Sequence, residues 1–125
     1  MSKLLIADDE SHIRKLLEMN LESLEDDDVE ILMAKNGKEA LDIILAEKPN
    51  IVLLDVMMPE IDGFEVCRRT KIDNNLKDIF IIMLTAKGQD LDFQKGNEVG
   101  ANLYITKPFN TDEILEKVKE VLNIE

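Results

Sequence analysis

The chain has 125 residues, a length typical of one domain that buries a core without disulfide or metal support. Its 45% hydrophobic and 34% charged residues exclude an intrinsically disordered chain. The net charge of −12 argues against direct binding to nucleic acid or an anionic membrane, and suits cations and basic partner surfaces. Cys67 has no partner for an internal disulfide, and no apolar run approaches the ~18 residues of a membrane span, so we expect a cytoplasmic single domain over residues 1–125.

Short apolar runs alternate with amphipathic segments along the whole chain. The apolar runs predict strands at residues 3–7, 29–34, 51–55, 79–84 and 102–106. The amphipathic segments predict helices at residues 11–24, 37–48, 62–71, 89–100 and 111–122, and the acidic run at 25–30 predicts a solvated turn. The alternation indicates a (βα)5 protein, because strands separated by single helices must run parallel.

Apolar periodicity also predicts which helical residues face the core. These are Ile13, Leu16, Leu17, Leu21 and Leu24 in the first helix, Ala40, Leu41, Ile44 and Leu45 in the second, Phe64 and Cys67 in the third, and Ile114, Leu115, Val118, Val121 and Leu122 in the last. The third and fourth strands are apolar at consecutive positions, which is typical of a parallel sheet covered on both faces.

Charged and hydroxyl side chains collect at the carboxyl ends of the predicted strands, where open α/β sheets form their sites. They are Asp8, Asp9 and Glu10 after the first strand, Asp55 at the end of the third, Thr85 after the fourth and Lys107 after the fifth. The acids converge only if the first and third strands are neighbours. This condition selects the order 2-1-3-4-5, a doubly wound, flavodoxin-like sheet.

Such a cluster predicts a magnesium-assisted phosphoryl site. Converging carboxylates raise one another's pKa unless a cation is present, and a cluster of oxygen ligands without His or Cys suits Mg²⁺. A carboxylate beside Mg²⁺ and a lysine is equipped to attack a phosphoryl group and to hold the product. Asp55, at the end of a wholly apolar strand, is the candidate nucleophile.

Each member of the cluster also has an ordinary structural explanation. Asp8 or Asp9 could cap the first helix, although one cap does not need two acids. Thr85 could be a strand-end threonine and Lys107 a turn residue before proline. A lone aspartate at the end of a strand, such as Asp55, usually just begins an exposed turn. The joint placement of these residues at four strand ends favours the site.

Five further residues have structural interpretations that we prefer. His12 begins a polar helix and is expected to be solvated. Cys67 is expected in the core. Met57 and Met58 are expected to fill the core and the rim beside the site. Gly63 is expected to serve a turn or close packing, because no glycine-rich phosphate loop surrounds it.

Four motifs, "LIADDE", "IVLLDVMMPEIDGFEVCR", "IIMLTA" and "LYITKPF", occur in the order and spacing of one known family. Across essentially its whole length the chain resembles a response-regulator receiver domain of two-component signalling, similar to the chemotaxis regulators. The resemblance implies a (βα)5 fold and an aspartate that accepts a phosphoryl group from a histidine kinase or a histidine phosphotransfer protein, with Mg²⁺.

The resemblance also assigns roles to residues of this chain. It makes Asp55 the phosphoacceptor. The implied metal ligands are Asp9 directly, Asp8 through water, Asp55 and the backbone carbonyl of Met57.

For the phosphoryl group the resemblance implies contacts from Thr85 and Lys107, with Thr85 and Tyr104 as switch residues. It raises the expectation of a cis bond between Lys107 and Pro108. The output is expected on the face formed by segments 89–100, 102–106 and 111–122, toward an output protein or domain that the sequence does not name.

Two rival functions remain open at this point. A haloacid-dehalogenase-type phosphatase or phosphotransferase also uses a strand-end aspartate, but it needs a second acid two residues later. That position is Met57, which cannot transfer a proton. We therefore expect a switch that catalyses its own phosphorylation and slow dephosphorylation, not a turnover enzyme. A flavodoxin-type binding module would need a flavin and does not require Asp8, Asp9 and Lys107 together.

Overall fold

The computed structural model describes residues 2–86 and 99–124 of the chain. Its strands are β1 (Ser2–Ala7), β2 (Val29–Ala34), β3 (Ile51–Asp55), β4 (Phe80–Ala86) and β5 (Leu103–Lys107). Its helices are α1 (Ser11–Leu21), α2 (Gly37–Glu47), α3 (Gly63–Arg68) and α4 (Thr111–Leu122). The helix predicted at 89–100 falls for the most part outside the described residues.

The five strands form one parallel sheet in the order β2-β1-β3-β4-β5, which confirms the predicted doubly wound architecture. β3 lies at the centre, hydrogen-bonded to β1 on one side and β4 on the other. The register pairs Ala7 with Leu54, Asp55 with Leu84 and Thr85 with Thr106. The carboxyl ends of β1, β3, β4 and β5 are therefore neighbours at one edge of the sheet.

Helices cover the sheet on both faces and bury two apolar clusters. One cluster includes the residues of α2 and α3 that face the sheet, among them Ala40, Ile44, Val66 and Cys67. The other includes residues of α1 and α4, among them Leu17, Leu21, Ile114 and Val118. All five residues of β3 are buried, as its unbroken apolar sequence predicts. None of the described helices is long and apolar enough to cross a membrane.

Short polar side chains begin three of the four α-helices in the part of the chain that the structure describes. Asn36 accepts a hydrogen bond from the Glu39 amide at 2.8 Å, and Asp62 accepts one from the Glu65 amide at 2.9 Å. Asn110 caps α4 through the Asp112 amide at 2.8 Å. These bonds satisfy amides that have no partner within the helix, so local sequence sets where α2, α3 and α4 begin.

Two predictions of inward-facing leucines are wrong. Leu16 is 46% exposed and Leu45 is 37% exposed, whereas Leu17 and Ile44 beside them are buried. Each leucine lies about 100° around its helix from the buried neighbour, so it reaches the flank of the apolar face.

Two predicted helices are shorter in their regular part than their apolar patterns suggested. α1 ends at Leu21 and continues as a 3₁₀ segment, Glu22–Asp27, so the predicted acidic turn is partly helical, with its acidic side chains exposed. α3 ends at Arg68 and widens into one π turn, Arg69–Asp73. There the Thr70 hydroxyl donates to the Val66 carbonyl at 2.8 Å, a bond that competes with the regular ladder.

Candidate functional site

Asp55 is the last residue of the central strand and is only 4% exposed. The chain turns tightly behind it, and the Gly63 amide donates to the Val56 carbonyl at 2.9 Å. A Cβ on Gly63 would lie 2.4 Å from the carbonyl oxygen of Asp55, so only glycine fits. This confirms the close-packing interpretation of Gly63. The turn fixes where the Asp55 carboxylate emerges from the sheet.

Asp8 is fully buried and belongs to the turn between β1 and α1. Its amide donates to the Ala34 carbonyl at 3.2 Å, and its Oδ1 accepts from the Glu10 amide at 2.9 Å. Glu10, not Asp8 or Asp9, occupies the capping position of α1, and its side chain makes no capping bond. The capping explanation for the two aspartates is therefore wrong.

Three aspartates meet at this edge of the sheet. Asp8, Asp9 and Asp55 each offer a carboxylate oxygen, and these oxygens lie within 4.8 Å of one another. Asp9 is exposed, while Asp8 and Asp55 are buried. The donors are all oxygens with a net negative charge and one face open to solvent, which fits a hard cation such as Mg²⁺ that keeps several waters.

Lys107 joins two of the aspartates. Its Nζ lies 3.1 Å from Asp8 Oδ2, 3.2 Å from Asp55 Oδ1 and 3.9 Å from the Glu10 carboxylate. Lys107 is the last residue of β5, and its bond to Pro108 is cis, as expected. One ammonium therefore faces several carboxylates, and it balances only part of their charge.

Burial and crowding shift the pKa values of this pair. Burial is the largest cause, and with the nearby Asp8 carboxylate it raises the pKa of Asp55 to about 7, although Lys107 opposes the shift. Burial alone would lower the pKa of Lys107, but Asp55 and Asp8 outweigh it, so the Lys107 pKa is raised. Burial and the Asp8 carboxylate thus favour the protonated form of Asp55, whereas a bound cation would favour the ionised form.

Thr85 lies beside Asp55 on the neighbouring strand and is fully buried. Its Oγ1 finds no hydrogen-bond partner among the residues that the structure describes. A buried hydroxyl in this state costs free energy, so it commonly marks a position where another acceptor binds. The end of β4 therefore presents an unused donor beside the Asp55 carboxylate.

The two methionines after Asp55 have different surroundings. Met57 is 72% exposed and its amide donates to Asp55 Oδ1 at 3.4 Å, so this residue borders the site at the rim. Met58 is 8% exposed and packs in the core. The described geometry supports the prediction of one rim and one core residue.

Tyr104, His12 and Cys67 lie outside the aspartate cluster. Tyr104 is partly buried against the cluster beneath α2 and α3, and burial raises its pKa. His12 is 74% exposed, 3.4 Å from the Glu10 carboxylate, in agreement with a solvated histidine. Cys67 is buried, donates its thiol to the Val99 carbonyl at 3.4 Å and has a pKa raised to about 12 by burial, which confirms its core position.

Sequence reasoning missed Arg14, which lies beside the turn after β1. Arg14 Nη1 donates to the Asp8 carbonyl at 2.7 Å, and the Glu10 carboxylate approaches Lys107. A signal was present, because Arg14 is four residues after Glu10 and so lies on the same helical face as the residues leaving the turn. That signal is weak without the turn geometry.

Comparisons with known proteins agree with this geometry. The sequence model described as "Response regulator receiver domain" matches residues 4–119. Proteins described as "Probable transcriptional regulator ycf27" are 42% identical in Porphyra purpurea and 46% identical in Galdieria sulphuraria, each over 120 residues and 96% of this chain. The matches cover 47% and 45% of those proteins, so the chain spans about half the length of these curated relatives.

Solved structures show the same architecture. A response regulator from Chloroflexus aurantiacus J-10-fl is 36% identical with a TM-score of 0.86, over 98% of both chains. The chemotaxis protein CheY4 of Vibrio cholerae is 31% identical with a TM-score of 0.83, over 97% of this chain and 98% of its own. Both similarities extend over almost the entire length of each chain.

Proposed function

The chain belongs to the response regulator receiver domain family, whose members are the signalling switches of two-component systems, and on this premise we propose that Asp55 is its phosphoacceptor. The donor is a histidine kinase or a histidine phosphotransfer protein. Residues 1–125 act as a single receiver domain. The recipient of the output is another protein or domain, and the net charge of −12 argues against direct nucleic-acid binding by this domain.

One observation carries the proposal. The Asp55 carboxylate is buried at the end of the central strand, bonded to Lys107, and lies next to a strand whose Thr85 hydroxyl has no partner among the described residues. An aspartate that is fully paired with opposite charges has a low pKa. This one is left with a pKa near neutrality, and such perturbed groups are concentrated at functional sites.

In the proposed reaction, an ionised Asp55 oxygen attacks the phosphorus of a phosphoimidazole. A P–O bond forms as the P–N bond breaks, and the imidazole leaves with the electron pair and takes a proton from solvent. Lys107 Nζ and Thr85 Oγ1 donate hydrogen bonds to the phosphoryl oxygens. Asp55 needs no general base, because its carboxylate is the nucleophile.

Mg²⁺ is the proposed cofactor. Asp9 would bind it directly, Asp8 would hold it through water, and the Asp55 carboxylate and the Met57 carbonyl would complete the protein's ligands. When bound, the ion neutralises charge on the carboxylates and on the transferred group. The three converging carboxylate oxygens support this assignment.

We also propose that the product is long-lived. The residue two positions after Asp55 is Met57, which carries no acid or base for activating water. Hydrolysis of the acyl phosphate is therefore slow, as a signal requires. The phosphatase alternative is disfavoured for the same reason.

Thr85 and Tyr104 are the proposed switch. Phosphorylation supplies acceptor oxygens to the Thr85 hydroxyl, Thr85 moves toward them, and Tyr104 turns further inward. Beryllofluoride with Mg²⁺ serves as the phosphoryl mimic. The ring resonances of Tyr104, the only tyrosine, should shift as it is added. A Thr85 amide that shifts while the Tyr104 ring does not would contradict the coupling.

Incubation with acetyl phosphate and Mg²⁺, followed by intact-mass analysis, tests the phosphoacceptor. One phosphoryl group should appear on the wild type and on Asp42→Asn, which removes an exposed acid from α2. None should appear on Asp55→Asn. Equal labelling of Asp55→Asn and the wild type would remove Asp55 from this role.

A further inference from the structure

Arg14 makes a contact that the proposed reaction does not use. It lies in the first turns of α1, where its backbone amide donates to the Glu10 carbonyl at 3.1 Å. Its side chain folds back over the turn, and Nη1 donates to the Asp8 carbonyl at 2.7 Å. The guanidinium therefore ties the start of α1 to the turn after β1, across six residues.

This bond holds the peptide plane between the two metal-site aspartates. The Asp8 carbonyl and the Asp9 amide belong to one planar unit, so an anchor on the oxygen fixes the direction in which Asp9 leaves the turn. The Asp8 side chain is held separately, by the Glu10 amide and Lys107. The exposed Asp9 carboxylate has no hydrogen bond within the described residues, so backbone orientation is what places it.

We propose that Arg14 is a positioning residue for the metal, which orients the Asp8–Asp9 peptide so that the Asp9 carboxylate joins those of Asp8 and Asp55. The inference rests on the proposed function, because it takes this cluster as the Mg²⁺ site. Arginine suits the role, since its planar fork directs a donor over a long reach to a fixed carbonyl.

Charge and position make opposite predictions for the loss of Arg14. If the guanidinium acted only through its charge, its removal would relieve repulsion of the cation, and Mg²⁺ would bind more tightly. If it positions Asp9, its removal loosens a ligand and Mg²⁺ binds more weakly. Groups that orient metal ligands typically contribute about 10–100-fold in affinity.

Calorimetric titration with Mg²⁺ distinguishes the two. Arg14→Gln should raise the Mg²⁺ Kd about 10-fold. The matched control is Lys15→Gln, which removes the same charge from the next position, where the exposed side chain has no described hydrogen bond or ion pair. Its Kd should stay equal or fall. Arg14→Lys keeps the charge with a shorter reach and should give an intermediate Kd, which also supplies the test if Arg14→Gln does not fold.

A metal-free readout separates the orientation of the peptide from binding. The ¹⁵N resonance of the Asp9 amide should shift or broaden in Arg14→Gln without Mg²⁺, and remain in place in Lys15→Gln. A Kd for Arg14→Gln that equals or falls below that of Lys15→Gln overturns the inference. If the wild type itself binds no Mg²⁺, the metal assignment of the proposed function fails instead, so the two failures are distinguishable.

Discussion

The aspartate cluster and the surface around α3 both combine acids with bases, yet the pKa of Asp55 is raised and that of Glu65 is lowered. On α3 and the π turn that follows it, Arg69 Nε lies 2.7 Å from Glu65, and Arg68 bonds both Glu65 and Asp73 at the surface. We call these four residues the α3 surface network. Two cations there serve two anions, and the bond from Arg68, followed by that from Arg69, lowers the pKa of Glu65 to about 2.

At the aspartate cluster, one lysine bonds two buried acids, Asp8 and Asp55. The same class of pairing therefore leaves the pKa of Asp55 at about 7, since burial and the Asp8 carboxylate outweigh Lys107. The difference teaches that proximity of opposite charges does not set the direction of a shift. The balance of charges and the loss of hydration set it. The charges of the α3 surface network balance one another, whereas the aspartate cluster keeps an excess of negative charge that another cation could neutralise.

The largest expected effect is the loss of Lys107. Lys107→Met removes the base that is bonded to both buried aspartates and should cost about 3–5 kcal/mol of unfolding free energy in the metal-free protein above neutral pH. The deficit should shrink on acidification, because Asp55 then takes up a proton. Urea unfolding at alkaline and mildly acidic pH measures it. Arg68→Met in the α3 surface network is the comparison. In the same urea experiment its loss of unfolding free energy should be much smaller, equivalent to only a few degrees of melting temperature. Equal losses of unfolding free energy in Lys107→Met and Arg68→Met would contradict the difference between the buried and the exposed ion pairs.

Asp55→Asn should have an effect of opposite sign. The pKa of Asp55 is raised from 3.8 to about 7 in the folded protein, so folding favours its protonated form. Stability is therefore lost as pH rises from about 4 to about 7. The variant removes this penalty and should gain roughly 2–4 kcal/mol above neutral pH without metal, since one pKa unit is worth about 1.4 kcal/mol. Denaturation at several pH values across this range should show that the unfolding free energy of the variant depends less steeply on pH. A pH dependence as steep as that of the wild type would refute the raised pKa.

Mg²⁺ should stabilise the site without affecting the α3 surface network. At about 100 times its Kd, the ion adds roughly 2.7 kcal/mol if it binds only the folded protein. Asp9→Ala should abolish the rise in melting temperature, and Asp73→Ala, which removes an acid from the network, should leave it intact. A full Mg²⁺ response from Asp9→Ala would exclude Asp9 as a ligand.

The smallest effect belongs to Glu65. The pKa of Glu65 is lowered from 4.5 to about 2 in the folded protein. The pairing therefore stabilises the fold at pH values above the unfolded-state pKa, and this stabilisation is lost as the pH falls from 4.5 to about 2. Because the network is exposed, solvent screens most of this effect. Glu65→Gln should change the melting temperature near neutral pH by a few degrees at most, and flatten only the acid limb. A change as large as that of Lys107→Met would show that exposure does not weaken the network.

The sheet could be predicted because its sequence signals are local. The apolar run at 51–55 and the acids after residue 7 predict both the strands and the order that brings their ends together. The aspartate cluster followed from the same argument, since parallel strands place their carboxyl ends at one edge. The structure adds the distances, which no spacing rule supplies.

The details that sequence could not provide depend on contacts between distant segments. Leu16 has the right period for the core, but the width of the face that the sheet covers decides its exposure. The bond from Arg14 to the Asp8 carbonyl depends on how tightly the chain turns after β1. The raised pKa of Asp55 requires the burial that only the assembled sheet gives.

The central position of β3 has a consequence for amide hydrogen exchange. β3 is bonded on both sides and wholly buried, whereas β5, among the described strands, is bonded only to β4 at the edge of the sheet. Amides of β3 should therefore exchange only through global unfolding, and those of β5 also through local opening. A modification of Asp55 that stabilises the fold would slow exchange throughout β3 in proportion to overall stability. A change confined to β5 amides would report a local rearrangement, so one exchange experiment can separate tighter folding from signalling.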